Sequence, residues 1–561
     1  MDLDRRSFLK GALMAGAGAG MAGLAAGCAP QAPATAENAA GGNLAATGSS
    51  SDIGKHTWEV APAPIEDIAD TKDYDIVIVG AGVAGTSAAE AAAANGAKVA
   101  VIEQSASFTA HGADNACIGS RVHKENNIDI SPEDAVRIMY NYSQGMVNRD
   151  LLYTWATRSG EVFDHFSDLC AEAGIPTILA ISDTSKPDWD TLEDRFREYR
   201  TGLTFGSADE GVIIDMDNFT FIQSHLVETL VNAAMANGAE FFYNTHAEQL
   251  VGNAESGISG VIVTAEDGTH VQYNAAKGVI LATGDISGND EMLECWAPLV
   301  ERTDVRDYFP ENGNLGDGIL MGCWAGAAVS KSAAAPVIHP ISDALPLSAL
   351  ALSWLAVNSL GKRYCCEVPY EPYITNARLN TPGNVAWSIF DGDYETKVRA
   401  QAPLTADGLL NGIAEKIDSA VEHELMFRAD TLEDLASQLG IPADEFKATV
   451  ERYNELCANG SDVDFGVPQR FLASVDTPPF YALNVPAKTL VVPFGLHVDS
   501  NSQVCTEDDQ PIAGLFAVGN VQGDFFSFTY PVTCPGLSHG RSLTFGNLVG
   551  GALAQGTTIN G

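Results

Sequence analysis

The segment from Asp75 to Glu103 constrains this chain more than any other. Asp75-Ile76-Val77-Ile78-Val79 is a continuous apolar run of strand length, the pattern of a strand buried on both faces of a parallel sheet. It runs directly into Gly80-Ala81-Gly82-Val83-Ala84-Gly85, and from Thr86 an alanine-rich helix is predicted, ending at Asn95-Gly96. Lys98-Val99-Ala100-Val101-Ile102 predicts a second strand, closed by Glu103, 18 positions past the third glycine. Gly80 permits the tight turn, Gly82 lets a diphosphate approach the backbone, and Gly85 lets helix and strand pack closely. The helix start at Gly82, Val83, Ala84 and Gly85 offers free N–H groups and a positive dipole end to that diphosphate. Glu103, followed by Gln104, accepts hydrogen bonds from a ribose diol, and its charge disfavours a 2′-phosphate. A dinucleotide bound to a Rossmann-type α/β fold is the implied chemistry.

The rest of the chain is long enough for further domains, with 561 residues of which 46% are hydrophobic. A formal net charge of −42, from 31 basic and 73 acidic residues, opposes nucleic acid and anionic membrane faces as partners. Asp4-Arg5-Arg6-Ser7-Phe8-Leu9-Lys10 resembles a twin-arginine export signal, and Leu24-Ala25-Ala26-Gly27-Cys28 resembles a lipoprotein cleavage site. Residues 1–28 are therefore expected to be a signal and 29–72 a flexible tether. The mature protein is expected in the cell envelope, held to the membrane's outer face only by a lipid on Cys28. Of the ten cysteines, the nine beyond Cys28 form no CxxC, haem or iron–sulfur pattern. Most read as small buried hydrophobes, and no metal site is predicted.

Dinucleotide signals recur far along the chain. Gly278-Val279-Ile280-Leu281-Ala282-Thr283-Gly284 is a strand ending in an Ala-Thr-Gly turn, and Gly514-Leu515-Phe516-Ala517-Val518-Gly519-Asn520 is another with a terminal glycine. His539-Gly540-Arg541-Ser542-Leu543-Thr544-Phe545-Gly546 reads as a helix start. With Gly316-Asp317-Gly318, His339-Pro340, Gly361-Lys362-Arg363-Tyr364 and the amphipathic stretch from Ala429 to Asn454, these motifs resemble one flavoprotein family. It comprises fumarate reductases, succinate dehydrogenases, L-aspartate oxidases and ketosteroid dehydrogenases. The resemblance runs from about residue 73 to about residue 553. It implies non-covalent FAD in a domain split between residues 73–330 and 488–555, with an α+β capping and substrate domain at 331–487. Gly80, Gly82, Val83, Ala84, Gly85, Glu103, Gln104, Thr283, Gly284, Asp317, Gly519 and Asn520 are the implied FAD contacts. Ser542, Leu543 and Thr544 are expected to add helix-start N–H groups facing the flavin C2 carbonyl. His111 invites comparison with the flavin-linking histidine of succinate dehydrogenases, but its surroundings, AHGADNACIG, do not carry that motif.

The dicarboxylate clamp of fumarate reductases is mostly missing. His339 matches one clamp histidine, but the family's Thr-Glu-x-x-Arg run has no counterpart between Leu350 and Val357. The acid arginine falls on Glu371, the second histidine near Val491 and the clamp arginine near Thr533. Tyr364, Tyr370, Tyr373, Phe525, Phe526, Phe528 and Tyr530 stand there instead. Tyr530-Pro531 with Gly536 is similar to a Tyr-Pro…Gly element of ketosteroid dehydrogenases, in which tyrosine and a backbone N–H polarise a ketone oxygen. The expected reaction is hydride transfer from flavin N5 to an activated C=C of an enone or enoate. Tyr530 is expected to polarise the carbonyl and Tyr370, or Tyr373, to protonate the α-carbon. Arg378, Arg541 and His339 are further candidates. Electrons are expected from an external donor, a quinol-linked cytochrome or a small redox carrier. The rival expectations are a ketosteroid-type dehydrogenase running in reverse, a fumarate reductase-like enzyme, and a tethered flavoprotein without catalysis.

Overall fold

A computed structural model describes residues 55–180, 186–215, 220–306, 313–340, 352–368, 373–484 and 486–560. The export signal and Cys28, and also Tyr370 and Glu371, lie outside these residues. Residues 55–60 contain one short 3-10 turn, Thr57–Glu59, beside which His56 stacks on Trp58 at 4.2 Å.

An eight-stranded sheet forms the heart of the remainder. Strand β1 (Ile68–Val79) enters it, helix α1 (Val83–Ala94) crosses over, and β2 (Val99–Ile102) returns parallel to β1. A short strand, β3 (Asn115–Ala116), lies in a separate sheet. On the other side of β1 lies β4 (His270–Leu281), also parallel, and beyond it β5 (Pro511–Ala517) from the far end of the chain. Ile76, Val77 and Ile78 of β1 and Val279, Ile280 and Leu281 of β4 have no solvent exposure. Each such side chain contributes about 1.5–3 kcal/mol through burial. The sheet is thus closed by a strand that follows the capping region.

Between β4 and β5 the chain builds α2 (Asp317–Trp324), a strand, a helix and a four-stranded antiparallel sheet whose first strand, Leu355–Asn358, comes before that helix. Strand β6 is Val337–His339 and helix α3 is Tyr373–Leu379. Two helices, Leu432–Leu439 and Ala443–Asn459, pack Leu435, Phe446, Val450 and Tyr453 onto Leu355, Ile389 and Ala482 of the antiparallel sheet. That matches the amphipathic spacing of the sequence. Arg363 locks the cap from inside, 2.7 Å from both Glu367 and Asp462 and stacked over Tyr453. The chain closes with α4 (Leu537–Gln555), laid along α1.

Two boundaries differ from expectation. Strand β1 starts at Ile68, inside the stretch read as tether, because Ile68–Tyr74 pairs with His270–Ala275 while staying largely exposed. Polar half-strands of that kind carry no apolar run to reveal them. Helix α4 starts at Leu537, preceded by Gly536 at φ +79°, so Ser542–Thr544 lie inside it rather than at its start. Six of the nine described cysteines are buried, Cys323 and Cys457 are half-buried, and Cys295 is exposed. Among the described residues no helix is long and apolar enough to cross a membrane.

Candidate active site

The glycine turn after β1 is shaped by contacts that admit no side chain. A Cβ on Gly80, at φ +109°, would lie 2.3 Å from the Ala282 carbonyl oxygen, and one on Gly85 would lie 1.9 Å from that of Gly80. Gly82 is different. Its φ of −81° suits any residue, and a Cβ there would meet nothing nearer than Thr109 Oγ1 at 3.6 Å. The space in front of Gly82 is open, the first turn of α1 has no acidic residue, and no side chain caps it. A helix start with bare N–H groups and room before it fits a diphosphate.

Glu103 is buried at the end of β2, where its carboxylate accepts the N–H of Ala81 at 2.7 Å and of Ser105 at 2.8 Å. It therefore also braces the glycine turn, a role the spacing did not announce. Gln104 is exposed. Thr283 Oγ1, at the end of β4, is buried with no hydrogen-bond partner. A Cβ on Gly318 of α2 would lie 2.3 Å from that oxygen. Asp317 of α2 lies 3.8 Å from His246, whose imidazole is pushed up to about 10 by Asp317 and by Glu248. Gly284 sits at φ +83°, and Gly519 packs on Ala84, where a Cβ would come within 2.9 Å. The ends of β4 and β5 and the start of α1 thus converge around one cradle. The orphaned Thr283 hydroxyl, the uncapped helix and the open face of Gly82 fit FAD: the start of α1 would hold its diphosphate, and Glu103 stands where its ribose is expected.

The start of α4 forms the second wall. Ser538 N–H donates to the Tyr530 hydroxyl at 2.7 Å, so the helix is capped by a residue from the preceding loop. Ser542 and Thr544 turn their hydroxyls back onto the Ser538 and Gly540 carbonyls, and the Leu543 carbonyl accepts Ser87 Oγ of α1. These three lie inside the helix, whose first turn is Leu537–His539 with the Ser538 N–H bound to Tyr530. Asn520 Oδ1 accepts from Ser538 Oγ at 3.1 Å and from Arg541 Nη2 at 2.8 Å. His539 donates from Nδ1 to the Asp114 carbonyl at 3.1 Å, and burial lowers its pKa. His111 packs edge-on against Phe221 at 5.7 Å.

The candidate catalytic residues divide between this wall and the cap. Tyr530 is 8% exposed, tilted against Phe526 at 5.2 Å, and burial raises its pKa well above that of a free phenol. Tyr373, first residue of α3, is 41% exposed, and partial burial raises its pKa as well. Thr375 of α3 donates to the Ile338 carbonyl at 2.8 Å, which ties α3 to β6 beside His339. Burial pushes His339 down to about 4, so its imidazole is neutral near pH 7. Arg378 does not stand free as an acid: its Nη1 bonds Asp304 at 2.6 Å, and that same carboxylate oxygen holds the Ala487 N–H. Its partner lies 74 residues earlier, beyond any local sequence signal. Thr533 is buried, with its carbonyl accepting Tyr199 N–H.

The loop carrying Tyr530 and the Phe528 already singled out also holds groups that sequence reasoning passed over, Ser527 and Thr529, with Asn376 beside them. Thr529 N–H bonds the Ser527 carbonyl at 2.8 Å, which places Phe528 at the apex of a γ-turn with φ +63°. That hand is strained for a bulky residue, yet the Phe528 ring is 50% exposed. Asn376 of α3 donates to Thr529 Oγ1 at 3.1 Å, while Asn376 Oδ1 and Ser527 Oγ are buried without partners. Strain and unsatisfied polar atoms gathered on one turn are the pattern of a ligand-contacting loop.

The FAD binding domain family matches residues 75–534. Among curated relatives, a vinyl phenol reductase of Lactiplantibacillus plantarum is 27% identical, over 86% of this chain and 97% of the relative. A 3-oxosteroid 1-dehydrogenase of Mycolicibacterium smegmatis is 26% identical, over 85% of this chain and 96% of the relative. Among solved structures, a 3-ketosteroid-Δ4-(5α)-dehydrogenase from Rhodococcus jostii RHA1 shares the fold with a TM-score of 0.67, at 23% identity, covering 86% of this chain and 97% of that one. The cradle on α1, the split sheet and a match spanning most of the chain place this protein in the FAD-dependent flavoprotein family of fumarate reductases and ketosteroid dehydrogenases, as an oxidoreductase acting on CH–CH bonds.

Proposed function

We propose that this protein reduces the activated C=C of a conjugated acceptor, an enone or enoate without a second carboxylate, at the seam between Tyr530 and helix α3. The observation that carries the reading is the condition of the cations around that seam. His339 is neutral, Arg378 Nη1 is bound to Asp304, and Arg541 is wholly buried on carbonyl and amide oxygens. Each of the two arginines keeps a buried Nε without a partner, which is too little for two carboxylates leaving water at several kcal/mol per ion. A neutral conjugated molecule carries no such cost, and the aromatic wall of Phe526, Phe528 and Tyr530 suits it.

Bound FAD supplies the hydride chemistry; the protein's residues orient the acceptor and handle its charge and proton. With its pKa raised, Tyr530 keeps its proton and can donate it as a hydrogen bond to the acceptor's carbonyl oxygen. The Ser538 N–H on the Tyr530 oxygen fixes the phenol's direction and draws electron density from it. The proton to the α-carbon is assigned to Tyr370 or, failing that, to Tyr373, whose partial exposure lets it be reprotonated from outside. The external donor is read as a quinol-linked cytochrome or small redox carrier, with export and a lipid on Cys28 keeping the enzyme near it. The name of the Lactiplantibacillus relative supports reduction, whereas that of the Mycolicibacterium relative supports dehydrogenation at the same kind of bond. Anaerobic mixing of dithionite-reduced protein with a panel of enones, enoates and fumarate tests the reading. Rapid reoxidation by a conjugated acceptor and not by fumarate is expected. Reoxidation by fumarate alone, or by nothing in the panel, sinks the proposal.

A further inference from the structure

Arg541, in the second turn of α4, is one of the largest side chains in the protein with no solvent exposure. Its guanidinium is gripped entirely by neutral groups. Nη1 donates to the carbonyls of Gly519 at 2.6 Å and Gln522 at 3.2 Å and to Gln522 Oε1 at 3.2 Å, while Nη2 donates to Asn520 Oδ1. The ring of Phe526 lies 4.9 Å and that of Phe525 5.4 Å from its central carbon, and Nε has no partner. Among the described residues no carboxylate lies within ion-pair distance of it. Asn520 also bonds Asp285, but that carboxyl is itself buried, already accepts Ser287 and Val492 N–H groups, and is pushed toward its neutral form.

A buried cation without a counter-ion is costly to fold. The Gly519 turn held by Arg541 packs on Ala84 in the first turn of α1, and Arg541 itself lies close to the start of α4. Neither helix has an acidic residue in its first turn, and neither N-cap residue supplies a side-chain bond. The start of α1 has the Glu103 carboxylate beside it, on the Ala81 N–H, and the start of α4 has the Tyr530 oxygen, but neither is bonded to the guanidinium, which stays buried on neutral acceptors. Desolvation accordingly lowers the Arg541 pKa to about 9.

We infer that Arg541 is the resident counter-ion for the negative charge of bound FAD, carried either by the diphosphate or by the reduced ring system. It reaches that charge through the Gly519–Gln522 turn it holds and through its field across a buried interior, and in this sense it is a positioning and charge-balancing residue.

The full-length chain tests this with Arg541→Met and Arg541→Lys, by titrating flavin-free protein with FAD, measuring the flavin midpoint potential, and melting the flavin-free protein. Arg541→Met is expected to weaken FAD binding on the order of a hundredfold. Arg541→Lys, which keeps the charge without the fork of donors, recovers most of the loss. The flavin-free Arg541→Met protein melts no lower than wild type by more than a few degrees, since losing the uncompensated charge offsets the lost hydrogen bonds. Equal weakening of oxidised and reduced FAD, with the potential unchanged, assigns the counter-charge to the diphosphate. A lowered potential, about 30 mV for each tenfold of extra weakening in the reduced state, assigns it to the ring. Should Arg541→Met not fold, Arg541→Gln takes its place with the same readouts. Wild-type FAD affinity and potential in the neutral variant, or equal damage from lysine and methionine, reduce Arg541 to a brace for its turn and overturn the inference.

Discussion

Gly82 and Gly85 look interchangeable in the sequence, and the structure predicts opposite outcomes for replacing them. At Gly82 the backbone has φ −81° and an extended ψ, which alanine adopts without strain, and an added Cβ has 3.6 Å to its nearest neighbour. The flavin-free protein should therefore tolerate Gly82→Ala, the gain of about 0.4–1 kcal/mol from the reduced freedom of its unfolded chain being offset by alanine's poorer performance at the N-cap. The methyl group, however, stands in the open space before the bare amides of α1. Each charge-assisted hydrogen bond it lengthens or blocks is worth about 1.5–3 kcal/mol, so FAD affinity should fall about 10- to 150-fold. At Gly85 the Cβ would lie 1.9 Å from the Gly80 carbonyl oxygen, deep inside contact distance, and β1 and α1 must separate to admit it. That is a loss of at least about 3 kcal/mol, enough to compromise folding. Circular dichroism melts of flavin-free protein, the flavin-to-protein ratio on purification and FAD titration read all three quantities. Gly82→Ala protein that binds FAD like wild type, or that unfolds while Gly85→Ala protein does not, would refute the placement of the diphosphate on this turn.

Other perturbations probe the second wall and the outer sheet. Tyr530→Phe deprives Ser538 N–H of its acceptor and the substrate carbonyl of its donor; turnover should drop about 10²–10³-fold with FAD content unchanged, and undiminished turnover removes Tyr530 from the mechanism. Phe528→Gly relieves about 1–2 kcal/mol of left-handed backbone cost at φ +63°, so the protein should melt a few degrees higher while the ranking of aromatic acceptors changes. An unchanged ranking takes Phe528 out of the acceptor site. His246 titrates near 10 in the folded protein, raised by Asp317 and then Glu248, against about 6.5 unfolded. Its stabilisation is therefore complete below about pH 6.5 and lost as pH climbs through about 10. Because the side chain is 40% exposed, solvent limits the effect to about 1 kcal/mol. His246→Asn should accordingly melt lower than wild type at pH 6 and equally at pH 10.5, and a pH-independent gap contradicts the pairing.

What the sequence discloses follows from how local each physical constraint is. The β1–α1–β2 unit is legible because its requirements fall within thirty consecutive residues: a doubly buried strand, glycines at close approaches, and an acid at the next strand end. Yet the same spacing hides that Glu103 binds the Ala81 and Ser105 amides, since a carboxylate suited to a ribose diol looks no different from one bracing a turn. The start of α4 escapes detection for a stated cause. Local reading seeks a Ser, Thr, Asp or Asn cap, and this helix is instead preceded by a left-handed glycine and capped by Tyr530 from eight residues upstream. Arg378 misleads in the same way, because its partner Asp304 belongs to a different part of the chain.

These failures share a direction. The residues proposed to hold FAD are set by backbone conformation and appear as glycine patterns, while those proposed to surround the acceptor are set by pairings between β6, α3 and the Ser527–Tyr530 turn. No periodicity records such pairings. Aromatic side chains near Tyr530 are visible in the sequence, but the strained Phe528 and the unpartnered Asn376 and Ser527 oxygens emerge only when α3 is laid against that turn. The same logic explains why the missing clamp arginines say more than the tyrosines that stand near them. A tyrosine tolerates packing, capping or donation with little change in its local sequence, whereas a pair of substrate carboxylates demands fixed cations. In the described residues around the seam those cations are neutral, paired, or buried on other oxygens. The reaction is therefore constrained most firmly by charges the seam withholds, and acceptor chemistry should track neutrality and conjugation before it tracks size.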